Sequence, residues 1–198
     1  MKTVRQKKGI PGAVWFALAV AAVLGGIYAF VAVSRSSAGP VSDIQALVGK
    51  PAPQFSLQDV HGNTYTNDSL KGKNVVLFFN EGIMCYPACW NQMAALPELD
   101  GSDTVALSVV IDQPSEWASA IRQMPQLASA TVLFDTDKAV SNEYGMLTVN
   151  SSMHYGSYPG HTFVVIDKQG IVRWVYDDPA MGIDNEKIAS EFATLRQP

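Results

Sequence analysis

Asn74–Met93 reads NVVLFFNEGIMCYPACWNQM, and the change of pattern inside this stretch sets the organisation of the rest of the chain. Asn74–Asn80 is an unbroken apolar run closed by asparagines, as expected of a strand covered on both faces. Glu81-Gly82 interrupts it. Near Pro87, a residue suited to a first helical turn, a helix is expected to begin, and Met93, Leu96 and Leu99 then recur on one side of it. Strand, loop and helix follow in that order, and both cysteines of the chain, Cys85 and Cys89, fall between the end of the strand and the first turn of the helix.

Upstream, Phe55–Leu57 and Thr64–Thr66 flank the turn formers Asp59-Val60-His61-Gly62-Asn63, which predicts a hairpin. Downstream, Thr104–Ile111 (TVALSVVI) reads as a second buried strand, Pro114 ahead of Ser115-Glu116-Trp117 opens a second helix, and Thr131–Phe134 is a third, short strand. Thr162–Ile166 and Ile171–Tyr176 flank Asp167-Lys168-Gln169-Gly170, a second hairpin with a glycine free to take positive φ. A closing helix is expected over Asp184–Leu195. Strands alternating with helices, then a hairpin and a helix, predict an α/β sandwich with a mixed sheet.

Apolar residues make 47% of the 198-residue chain and charged residues 16%, enough core for one ordinary domain plus an appendage, which excludes a disordered tail, a collagen-like fibre and a coiled coil. The net charge of −4 is unevenly spread: Lys2, Arg5, Lys7, Lys8 and Arg35 all precede the first acidic residue, Asp43, leaving 9 basic against 18 acidic residues beyond Arg35. An acidic domain repels phosphate backbones, so nucleic acid is not an expected partner.

Ala13–Val33 is 21 residues without a charge. As a helix it would extend roughly 32 Å, enough to span a bilayer. The excess of basic residues before it places the N-terminus in the cytoplasm and exports the rest. A cleaved signal peptide is the rival, but its apolar region usually runs about 7 to 15 residues. The expected layout is a basic cytoplasmic N-terminus over 1–12, a transmembrane helix over 13–33, a linker over 34–47 and a compact domain over 48–198. The localisation that follows is a single-pass cell-membrane protein with its domain extracytoplasmic.

Two cysteines make one bridge, one redox pair or part of one metal site. A loop that delivers a cysteine to a helix N-terminus sets its sulfur near unpaired N–H groups, which favours the thiolate. Residues i and i+4 on one helical face lie about 6 Å apart, inside the roughly 4.4–6.8 Å a disulfide tolerates. Cys85 is therefore expected to be ionised and accessible, with Cys89 one turn below. A permanent staple is the alternative, but a loop of about five residues yields only on the order of 2 kcal/mol by loop closure, against more than about 4 kcal/mol for a hundred-residue loop.

The stretch GKPAPQFSLQDVHGNTYTNDSLKGKNVVLFFNEGIMCYPACWNQM resembles the opening of the redoxins, meaning the AhpC/TSA peroxiredoxins and the membrane-tethered TlpA/ResA thiol-disulfide proteins. PGHTFVVIDKQGIVRW resembles their closing hairpin. The resemblance covers Val48–Pro198 and implies a thioredoxin-like fold, a mixed central sheet flanked by helices. It implies a thiol-disulfide oxidoreductase or peroxidase in which Cys85 is the nucleophile and Cys89 resolves the intermediate. Its substrate would be a protein disulfide or a peroxide, its electron donor a thiol not named by the sequence, and it would need no bound cofactor. Asn80 stands where peroxiredoxins carry Pro, and Val75–Trp90 holds no Ser, Thr or Arg, so peroxide activation would draw on Arg122 or Arg173. The thioredoxin-type relatives place a cis-proline beside the cysteines, and Pro159 is the candidate. The spacing Cys-x-x-x-Cys also resembles the Sco-type copper chaperones, which implies an alternative copper site of Cys85, Cys89 and His161, although Tyr86 stands where those proteins carry Pro.

Among the remaining residues, Glu81 reads as a solvated loop acid and, in a functional role, as a proton shuttle to sulfur. Tyr86 and Trp90 flank the cysteines as a landing surface for a partner, with Trp90 expected to pack inward. Arg173 is expected to face solvent from a strand. His61 and His154 read as turn or loop residues, and Met84, Met93, Met146 and Met153 as core fillers before metal ligands.

Overall fold

The structure, a computed structural model, describes residues 43–196. The expected cytoplasmic segment (1–12), the expected membrane helix (13–33) and most of the expected linker lie outside the described residues, and among those described no helix is long and apolar enough to cross a membrane.

Seven strands form one mixed sheet in the order β2-β1-β5-β4-β3-β6-β7. β1 (Ser56–Asp59) and β2 (Thr64–Thr66) are the first hairpin, and the Asp59 carboxylate ties its turn by accepting from the amides of His61 and Asn63. The central strands β3 (Asn74–Phe79) and β4 (Thr104–Val110) run parallel, and β5 (Val132–Phe134) continues parallel to β4. β6 (Thr162–Ile166) pairs antiparallel with β3 and turns into β7 (Val172–Asp177). The helices are α1 (Ala88–Ala95), α2 (Pro114–Gln123), α3 (Ala139–Glu143) and α4 (Asn185–Thr194).

Burial of β3 on both faces explains its unbroken apolar sequence. Val75, Leu77 and Phe79 point into one core, shared with Leu47, Leu57, Tyr144 and Met146. Val76 and Phe78 point into the other, shared with Trp90, Met93, Trp117, Ile188 and Phe192 from the long helices. Both cysteines belong to this second core.

The helix expected through Leu99 ends earlier: Pro97 denies it an N–H, and Leu96–Leu99 tighten into a 3₁₀ turn. Helix α3 had no sequence signal, because five residues cannot display a period and Lys138 enters it from a left-handed φ of 63°.

Candidate functional site

The site begins where β3 stops. The Asn80 side chain donates to the Phe78 carbonyl at 3.2 Å and accepts from Gly82 N–H at 2.9 Å, turning the chain off the sheet. Gly82 takes φ +60°, and a Cβ there would lie 1.8 Å from Asp112 Oδ2. That carboxylate, at the end of the neighbouring parallel strand, accepts from Ile83 N–H at 3.0 Å. Gly82–Cys85 forms a 3₁₀ turn, and α1 begins at Ala88 with Cys89 in its first turn. Trp90 packs inward as expected and donates its Nε1–H to the Gly82 carbonyl at 3.0 Å.

Cys85 and Cys89 are joined in a disulfide, with Cα atoms 5.3 Å apart. The expected accessible, ionised Cys85 is corrected by this arrangement. The turn carries its sulfur inward, not outward at the helix terminus, and the two residues are 2% and 0% exposed. Exposed Met84 and Tyr86 flank Cys85, and Tyr86 lies edge-on to Trp90 at 4.9 Å. Beside them runs a groove of about 490 Å³, whose walls include Met84, Tyr86, Trp90, Asp112, Glu116 and Tyr158. Burial pushes the Asp112 carboxyl up to about 6, with repulsion from Glu116 adding to it and the Ile83 amide opposing.

His161, at the head of β6, reaches the cysteines: its Nδ1 lies 3.6 Å from Cys89 Sγ. The ring is 1% exposed, edge-on to Phe78 at 4.6 Å, and its Nε2–H donates to the Gly182 carbonyl at 3.1 Å. Burial holds its pKa below the usual imidazole value against the opposing pull of Asp178 and Asp184. The loop bearing Gly182 is fastened back to α1, because Asp184 N–H donates to the buried Gln92 Oε1 at 2.6 Å and Gln92 Nε2 donates to Asn185. Sequence reasoning missed Asp112, Gln92, Asp178 and Asp184. Asp112 had a usable signal, a carboxylate just past the carboxyl end of a buried parallel strand, where α/β sheets place their sites.

Two further expectations are corrected. Glu81 is no solvated acid: 1% exposed, it accepts from Met153 N–H at 2.6 Å, His154 N–H at 3.1 Å and His154 Nδ1 at 2.8 Å. It clamps the 153–154 loop, and His154 is thereby more than a plain loop residue. The cis peptide bond among the described residues precedes Pro87, inside the cysteine loop, and not Pro159. Pro159 is buried in a segment that Gly160 N–H ties to the Met146 carbonyl at 3.0 Å on the way into β6. Arg173 faces solvent as expected, bound to Asp167 at 2.5 Å, and Arg122 is exposed on α2. The methionines divide, with Met93 and Met146 in the core and Met84 and Met153 more than half exposed.

The AhpC/TSA family profile matches residues 48–175. The chain is 29% identical over 132 residues to a chloroplastic peroxiredoxin Q of Triticum aestivum, an alignment covering 66% of this chain and 58% of that protein. It is 29% identical over 136 residues to the peroxiredoxin Q of Sedum lineare, covering 66% and 68%. The chain thus spans about three fifths of the length of the wheat protein and of its Populus jackii counterpart. Among solved structures, Mycobacterium bovis AhpC superposes with a TM-score of 0.62 at 18% identity, over 76% of this chain and 98% of that one. The reduced 2-Cys peroxiredoxin of Plasmodium vivax gives 0.62 at 21% identity, over 76% and 96%. These structural likenesses establish the fold, a thioredoxin-like mixed sheet with flanking helices, and the profile match over residues 48–175, more than half of the chain, places it in the AhpC/TSA family.

Proposed function

We propose that the protein is a membrane-anchored, extracytoplasmic thiol-disulfide oxidoreductase. The observation that carries this reading is the Cys85–Cys89 pair, close enough to bond and set in the junction between the central strand and the first core helix. In the reduced state Cys85, flanked by exposed Met84 and Tyr86, attacks a substrate disulfide, and Cys89 resolves the mixed disulfide into the intramolecular one. The sulfurs are buried when oxidised, so exchange requires the Gly82–Pro87 turn to open. The named peroxiredoxin relatives support peroxide as an alternative oxidant. Against it, the lining of the groove holds Asp112 and Glu116 and no arginine, which favours a disulfide substrate over a peroxide. A thiol donor must return the electrons. The uncharged 13–33 run supports the anchor.

The alternative of copper cargo would use the same three residues, with His161 Nδ1 3.6 Å from Cys89 Sγ, but in the disulfide neither sulfur is a free thiolate.

The test is turnover of the full-length protein with a disulfide substrate and, separately, with peroxide after reduction. Cys85→Ser is expected to abolish both, and a variant as fast as the parent in both assays would end this reading. A fixed staple is separated by potential, since a bridge kept for structure lies below about −300 mV.

A further inference from the structure

We propose that His161 is the proton acceptor for Cys89, its Nδ1 taking the thiol proton as the Cys89 sulfur closes onto Cys85. The inference rests on the thiol-disulfide reading above and adds a residue to it. A backbone carbonyl only accepts, so the contact with Gly182 O fixes the hydrogen on Nε2 and leaves the Nδ1 lone pair directed at Cys89 Sγ, 3.6 Å away. The tautomer is thus set by the protein and not by the sulfur. Phe78 and Phe163 pack edge-on against the ring and hold its plane.

The surroundings suit a base that is neutral at rest and briefly charged. Burial keeps the imidazole uncharged, while Asp178, Asp184 and Asp177 face it and stabilise the imidazolium. One donor atom each from His161, Asp178 and Asp184 fall within 4.8 Å of one another. Asp178 is itself held by the amides of Ala180 and Gly182. Asp184 is bound through Oδ1 to Lys187, and its buried Oδ2 has no hydrogen-bond partner. Because Gln92 on α1 fastens this loop, the helix that carries Cys89 also positions its base.

Cys85 is joined to a substrate sulfur in a mixed disulfide, and Cys89 carries a thiol. The thiol proton passes to Nδ1, the Cys89 sulfur forms a bond to Cys85 Sγ, and the Cys85–substrate bond breaks with its electron pair leaving on the substrate sulfur. That thiolate then takes the proton from the imidazolium, directly or through solvent. The substrate disulfide is reduced by two electrons and the cysteine pair is oxidised by two. Without a base, a thiol of ordinary pKa is only about 3% thiolate at pH 7, so resolution would be slowed by roughly 30-fold.

The experiment uses the reduced full-length protein and excess 5,5′-dithiobis(2-nitrobenzoate), which releases one coloured thiolate when Cys85 attacks and a second when Cys89 resolves. The second release is followed by stopped flow from about pH 6 to about pH 9, across the ordinary thiol range. The parent is expected to vary by less than about threefold over that range, as a base-assisted thiol does. His161→Gln, which keeps a donor for Gly182, and His161→Asn are expected to rise about tenfold per pH unit, lagging the parent by about 30-fold at pH 7 and by less than about threefold at pH 9. A lag that is the same at every pH marks a merely structural role and overturns the proposal. If neither variant folds, the parent decides alone: a second release rising about tenfold per unit overturns it, and a flat one supports it. A parent that gives no first release overturns the thiol-disulfide reading and this inference together, whereas a normal first release with an unassisted second removes only His161.

Discussion

Asp112 is at once an anchor of the cysteine turn and a carboxyl with a raised pKa. Its carboxyl lies at about 6 against an ordinary 3.8, chiefly because burial disfavours the charge, and its oxygen is the anchor for Ile83 N–H. Between those two values the folded protein holds a proton that the unfolded chain has already lost. The stabilising contribution is full below about pH 4 and is lost as pH rises through 6. A difference of this size converts to about 3 kcal/mol at most, and water at the rim of the groove reduces it to about 1 kcal/mol. Asp112→Asn keeps an oxygen for Ile83 and carries no charge. It is expected to be more stable than the parent by about 1 kcal/mol at neutral pH and to match it near pH 4. Urea unfolding of both proteins across this range measures the difference; a gap independent of pH rules out the titration. Glu81 shows why single residues were hard to place from sequence alone. Its partners Met153 and His154 lie 72 and 73 positions away, and nothing local in NEGIM distinguishes a clamp from a loop acid.

The strand-to-helix turn is built around a position that only glycine fills. At Gly82 the left-handed φ of +60° and the 1.8 Å approach to Asp112 act together, since a methyl group would need both a disfavoured backbone and a displaced carboxylate. Gly82→Ala is expected to cost about 2 to 4 kcal/mol, from backbone strain of about 1–2 kcal/mol plus the lost Ile83 and Trp90 hydrogen bonds. Trp90 fluorescence and thermal unfolding read the effect. In an Asp112→Ala background the steric part disappears and the penalty should fall by about half; equal penalties in both backgrounds would exclude the clash as its source. Elements of this kind were legible in part. β3 and β4 announced themselves by apolar runs, because a strand buried on both faces needs no polar alternation, and β6 and β7 by the hairpin turn Asp167 to Gly170 between them. The short α3 and the 3₁₀ turns did not, since four or five residues carry no period and owe their shape to contacts made elsewhere. The same holds at the site. The cysteine pair and His161 were legible as residue types, but the inward turn of Cys85 was not, because it depends on Asp112 reaching across from the adjacent strand.

The uneven charge of the chain bears on where its acidic domain works. All five basic residues up to Arg35 precede the first acidic one, and Ala13–Val33 carries no charge, so the two ends of the chain suit opposite sides of a bilayer. The disulfide exchange and exported location proposed above would suit each other, since an oxidising compartment keeps closed pairs closed and the exchange partner would then determine when they open. If the 13–33 run is an uncleaved anchor, the full-length mass should persist in membranes after alkaline extraction, and protease added outside the permeability barrier should remove the domain while sparing the extreme N-terminus. Release of a shortened chain into the soluble exported fraction would mean that the segment is a cleaved leader. Protection of the domain from external protease would reverse the orientation. Replacing Lys2, Arg5, Lys7 and Lys8 with glutamine while adding lysines after Arg35 should invert the chain if the charge bias alone sets its direction. An orientation unmoved by that exchange would assign the topology to the folded domain and not to the basic flank.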